Sequence, residues 1–230
     1  MKYLIDTAAQ NDIAQHIELA SKQVLNQLPN HGNEEGLTVA LGKSLIEQSF
    51  TKSNLKVEFQ YRQHNRITEE KNSGADGSFL IRIQTPTITV EKAALFQAKL
   101  ILGLGNLRDL TLSNNDTYRL MRQTQSMLRF TSEAIALFYT HRNIYAIDAA
   151  VFSRGSLANR PFSTNHRFIT LGTYLGKWVP RCSKGDQNTE LVTRSKHMDG
   201  FKYGIDLNIV LNRPSTQWGL DKSEDAWRKK

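Results

Sequence analysis

From residue 11 to residue 28, the apolar residues Ile13, Ile17, Leu19, Ala20, Val24, Leu25 and Leu28 recur near helical spacing, before Pro29 and Gly32 break the pattern. That period predicts an amphipathic helix, because 3.6 residues per turn stacks these positions on one face. A second helix is predicted over 33–50. Asn33 suits its N-cap, Glu34 and Glu35 meet the positive end of the helix dipole, and Leu37, Leu41 and Leu45 form its apolar stripe. Glu34 projects on that same stripe.

Strand patterns follow at 55–61, 77–83 and 93–101, the last two joined by Thr85-Pro86-Thr87, which suits a hairpin. Helical spacing returns over 115–129 through Leu120, Met121, Thr124 and Leu128. Two more strands are predicted at 134–140 and 144–152, turning at His141-Arg142-Asn143. The order is therefore α, α, β, β, β, α, β, β. Beyond Ser153 the pattern loosens into a basic polar loop over 154–167, a segment over 171–179, a final strand at 203–211 and a frayed end at 221–230. No repeat or linker divides the chain, so we read 1–230 as a single α/β unit, with a core over roughly 33–152 and an irregular C-terminal extension over 153–230.

Composition narrows the class. Of 230 residues 39% are hydrophobic and 23% charged, which fits a packed globular body and excludes a low-complexity chain. No run approaches the ~20 apolar residues of a membrane span, and the opening Met1-Lys2-Tyr3-Leu4-Ile5-Asp6 is too short and too soon acidic for a signal peptide. A cytoplasmic protein with no membrane partner is expected. Cys182 is the single cysteine, which excludes an internal disulfide and a thiolate zinc cluster. A net charge of +8 suits a polyanionic partner.

The chemistry concentrates in Gly74-Ala75-Asp76-Gly77 and in the strand through Phe96-Gln97-Ala98-Lys99. Period-two alternation puts Gln97 and Lys99 on one face of that strand. An amide and an ammonium on a half-buried surface require a carboxylate nearby, and Asp76 is the obvious one. Phosphodiester hydrolysis uses this combination: oxygen ligands for Mg²⁺, and a cation for the charge that develops on the phosphoryl group.

These residues resemble the PD-(D/E)XK nuclease superfamily, most closely its Mrr-like and restriction-endonuclease-like branch. That core runs α-β-β-β-α-β, with an Asp opening the second strand and (Glu/Gln)-X-Lys on the third. Here Asp76 and Gln97-Ala98-Lys99 hold those positions, while Ala75 stands where the proline of the name would be. The resemblance covers roughly 33–151 and implies a restriction-endonuclease-like fold with a mixed sheet flanked by helices. It implies a Mg²⁺- or Mn²⁺-dependent endonuclease acting on DNA, with RNA as a further substrate class, in bacterial restriction or antiphage defence. Asp76, Gln97 and Lys99 would then be catalytic. A Glu on the preceding helix would face the metal, with Glu34 first, Glu35 second and Glu47 third. Cleavage of both strands of a duplex implies a homo-oligomer or a defence-system partner subunit. The alternative is a nucleic-acid-binding or scaffold subunit that keeps the nuclease fold.

Other polar positions are weaker candidates. Arg62 and Arg66, around His64, can track a phosphate backbone, as can Arg154 beside Arg160, His166 and Arg167. Gln123 and Gln125 sit on the helix beside the sheet and can reach nucleic acid. Cys182 has no identifiable His partner, and Gly103-Leu104-Gly105 lacks the remaining residues of a phosphate loop.

Overall fold

A computed structural model describes residues 5–28, 33–64, 73–101, 114–153, 168–181 and 184–212. Helix α1 (Thr7–Asn26) starts a turn earlier than its apolar pattern, because the Asp6 carboxylate accepts from the Ala9 N–H at 2.7 Å and caps it. Helix α2 (Glu34–Glu47) is capped by Asn33, as its sequence predicts. The strands are β1 (Phe50–Lys52), β2 (Leu55–Gln63), β3 (Gly77–Gln84), β4 (Thr89–Ile101), β5 (Ala134–Thr140), β6 (Ile144–Asp148), β7 (Ile169–Thr170) and β8 (Tyr203–Leu211). Helix α3 (Asn114–Met127) connects β4 to β5.

One mixed sheet takes the order β1-β2-β8-β3-β4-β5-β6-β7. β8 is antiparallel to β2 and parallel to β3, β3 and β4 form an antiparallel hairpin, and β5 lies parallel to β4. The protein is thus α/β, with an eight-stranded mixed sheet flanked by helices.

Alternation along the central strands separates two cores. Phe79, Ile81, Ile83, Ala94, Phe96 and Ala98 face α1, α2 and a helical segment made of α5 (Leu171–Thr173) and a π-helical turn (Tyr174–Trp178). On the opposite face, Leu80 and Leu95 pack near Met127 of α3 and Leu191 of α6 (Thr189–His197), and Phe138 packs near Leu120 and Phe152. Phe152 belongs to α4 (Ala150–Ser153), so the strand predicted over 144–152 ends early. The Asp148 carboxylate accepts from the Ala150 N–H at 3.0 Å and turns the chain into that helix.

The expectation of an irregular C-terminal extension is corrected. This part of the chain supplies α6, unseen in the sequence pattern, and β8, which lies between β2 and β3 at the centre of the sheet. Its strand reads as an apolar alternation, Tyr203, Ile205, Leu207, Ile209 and Leu211, and all five are buried. Among the described residues, no helix is long and apolar enough to cross a membrane.

Candidate active site

The site forms where β4 runs past β3. Gly77, the first residue of β3, pairs with Phe96, and the next residues of β4 have no β3 residue opposite them. Their backbone donors on that edge are met by side chains. The Ala98 N–H donates to Oδ2 of Asp76 at 2.8 Å, and the Leu100 N–H donates to Oε1 of Glu34 at 3.2 Å. Two carboxylates thus continue, along the edge of β4, the hydrogen bonding that β3 leaves off.

Asp76 is placed by close packing. Gly74 has a positive φ of 70°, and a Cβ there would lie 2.5 Å from the Gln123 carbonyl oxygen. At Gly77 a Cβ would meet the Phe96 ring and the Tyr203 carbonyl. The Gly-Ala-Asp-Gly turn therefore fits only with glycine at both ends. The Asp76 carbonyl accepts from the N–H groups of Lys202 and Tyr203 at 3.1 and 3.0 Å, which ties the start of β3 to the start of β8.

Gln97 and Lys99 are 2% and 3% exposed. Gln97 Nε2 donates to Asp76 Oδ2 at 2.5 Å, while its Oε1 is buried without a hydrogen-bond partner. Lys99 Nζ is 3.1 Å from Glu34 Oε2. The expected carboxylate partnership therefore involves two acids, with Asp76 holding the amide and Glu34 holding the ammonium. One turn beyond Glu34, the buried Thr38 hydroxyl donates to the Glu34 carbonyl at 2.9 Å and lies 3.1 Å from the hydroxyl of Tyr139. Burial raises the Tyr139 pKa, opposed by the Thr38 hydrogen bond and aided by Asp76, Tyr203 and Tyr61.

Glu35 turns to a different cation: its Oε1 lies 2.6 Å from Lys202 Nζ. Glu47 is exposed at the other end of α2. Of the phosphate-tracking candidates, Arg62 is half-buried and donates to the carbonyls of Lys196 and Ser195 and to the Asp206 carboxylate at 2.6 Å. Those contacts tie β2 to the end of α6 and to β8, and they leave the Arg62 side chain 30% exposed. Gln123 is half-buried on α3 with its backbone carbonyl against Gly74, whereas Gln125 is exposed. Arg66, Arg154, Arg160, His166, Arg167, Cys182, Gly103, Gly105 and the end 221–230 lie outside the described residues.

No local pattern points to Lys202, Tyr139 or Tyr203 at the site, since each is far from Asp76 along the chain and carries no motif. Thr38 had a signal, its place one turn after Glu34 on the same helix.

Among the described residues, no three His, Cys, Asp or Glu side chains gather into a group that could hold a metal ion. A cation here would need the carboxamide as well as the carboxylates. The buried, unpartnered Oε1 of Gln97 beside Asp76 fits that need, because a neutral amide oxygen next to carboxylates is a hard donor set of the kind Mg²⁺ and Mn²⁺ take. Compared with models of known protein families, with curated proteins and with solved structures, the chain matches none.

Proposed function

We propose that the protein is a metal-dependent endonuclease that hydrolyses DNA phosphodiester bonds with a restriction-endonuclease-like core, acting in restriction or antiphage defence. The observation that carries this reading is the convergence of Asp76, Glu34, Gln97 and Lys99 on the unpaired edge of one strand. Support also comes from the succession α2-β1-β2-β3-β4-α3-β5, which apart from the short β1 follows the chain order of that core, with β3 and β4 antiparallel and β5 parallel to β4. β8 is then an addition to it, set between the first and second of its strands.

In this reading Asp76 and Gln97, with Glu34, would hold Mg²⁺ or Mn²⁺. The ion, when bound, would acidify a water and offset charge on the scissile phosphate. Lys99 stabilises negative charge on the phosphoryl oxygens, and it does so strongly because its ammonium is almost fully withdrawn from water. Glu34 keeps that ammonium at the strand edge. Gln97 Nε2 is fixed on Asp76, which leaves the amide Oε1 as the atom that would serve the ion. Defence function and the DNA class come from the family resemblance together with the net charge of +8.

Incubation of the wild type and Asp76→Asn with supercoiled plasmid in Mg²⁺, Mn²⁺ or EDTA tests the proposal. Metal-dependent nicking and linearisation by the wild type alone is the expected result. Absence of cutting in every metal, or cutting that persists in Asp76→Asn, overturns it.

A further inference from the structure

The two consecutive glutamates at the start of α2 each hold a lysine, Glu34 with Lys99 and Glu35 with Lys202. Lys202 stands just before β8 and owes its place to the insertion of that strand beside β3. Its N–H donates to the Asp76 carbonyl, so its backbone is fixed at the site itself. Its ammonium lies 5.3 Å from the centre of the Tyr203 ring. The Lys202 side chain is 15% exposed, while that of Glu35 is 67% exposed.

This asymmetry distinguishes the pair from a stabilising salt bridge. A carboxylate so open to water adds little to stability, because water screens the pair and the exposed side chain must be ordered to make it. Lys202, in contrast, is held by its backbone contact and by the aromatic ring beside it. An incoming anion can displace Glu35 into solvent without moving Lys202. The site then offers the Lys202 ammonium in addition to that of Lys99.

We propose that Lys202 is a substrate-binding cation of this site, taking a backbone phosphate next to the one whose ester is cut, with Glu35 as the counter-ion it releases on binding. The proposal rests on the nuclease reading for its substrate class and extends it to a residue outside the Asp and Gln-X-Lys pattern. Lys202 acts in binding, where each neutralised phosphate releases counterions, and takes no part in breaking the bond.

The test is fluorescence-anisotropy binding of a labelled short duplex DNA in EDTA over a series of salt concentrations. Lys202→Met is expected to weaken binding roughly tenfold and to flatten the log–log salt dependence by about one phosphate's worth, ~0.9. Lys202→Arg keeps both near wild type. Glu35→Gln tightens binding, which preserves the test should Lys202→Met fail to fold. Lys52→Met is the control, since it removes an equal charge from the exposed Lys52–Asp12 pair, next to the far end of β2. Wild-type affinity and slope in Lys202→Met, or no binding of DNA by the wild type, overturns the proposal. Because binding is read without cutting, a protein that binds through Lys202 yet never cleaves plasmid removes the catalytic reading alone.

Discussion

Asp76 and Glu34 accept hydrogen bonds from alternate backbone N–H groups of β4, those of Ala98 and Leu100. The two carboxylates come from different elements, the start of β3 and the first turn of α2, and meet only because β4 outruns its partner.

Lys99 and Glu34 separate stability from chemistry. Glu34→Gln retains an acceptor for the Leu100 N–H but leaves the buried Lys99 ammonium without its carboxylate. A loss of about 1–2 kcal/mol is expected, less than for a fully buried pair because the Glu34 side chain is 36% exposed. Lys99→Met places an apolar chain of similar length in the same pocket and should be neutral or slightly stabilising, while cleavage falls at least ~100-fold. Urea unfolding beside plasmid cleavage checks both, and a strongly destabilised Lys99→Met would count against the pocket being tolerant of an apolar chain.

Gln97→Glu adds a third acid beside Asp76. Without divalent ions the two carboxylates repel, and a loss of about 1–2 kcal/mol is expected at neutral pH. Mg²⁺ should raise its melting temperature by more than it raises that of the wild type, because a charged oxygen replaces a neutral one in the donor set. Thermal melts in EDTA and in Mg²⁺ decide this. If Mg²⁺ leaves both proteins unchanged, the metal assignment fails.

Gly42 of α2 lies against the Tyr61 ring, and a Cβ there would overlap the ring carbons. Gly42→Ala should therefore destabilise the protein by about 1–3 kcal/mol, although alanine is the better helix former. A gain in melting temperature would show that the ring moves aside freely.

Glu91 joins α6 to the sheet, accepting from Lys196 at 2.7 Å and from Arg82 at 2.6 Å. The Lys196 hydrogen bond, opposed by partial desolvation and helped by Arg82, holds the Glu91 carboxyl below its ordinary 4.5. A folded pKa below the unfolded one means the stabilisation is complete above pH 4.5 and is lost as pH falls through the folded value. The stability difference between wild type and Glu91→Gln should be flat from neutral pH down to that point and close below it. Urea titrations across this range measure it, and a difference that grows with acidity would contradict the sign.

Local pattern was a good guide to individual elements and a poor one to their neighbours. The Asn33 cap, the Leu37-Leu41-Leu45 stripe, β5 at 134–140 and β8 at 203–211 could all be read, since each depends on residues close in the chain. Asp76 and Gln97 could be paired on paper because a single hairpin joins them. Helix α6 escaped notice: its cap, Asn188, and its basic last turn, Arg194, Lys196 and His197, flank only two buried aliphatic residues, Leu191 and Val192. The partners of Arg62 were not legible, because nothing local shows the α6 carbonyls that receive it.

By itself the sequence determined the α/β class, the glycine-bounded turn that carries Asp76, the burial of Gln97 and Lys99 on an apolar strand, and the excess of positive charge. Those are consequences of short-range sterics, of side-chain period and of composition. Only the tertiary structure decided that β8 enters the sheet between β2 and β3, that Glu34 takes Lys99 while Glu35 takes Lys202, and that Arg62 is received by the α6 carbonyls and Asp206. Each of these is a choice among distant partners of the same chemistry, and it depends on which strands lie side by side, which no local pattern encodes.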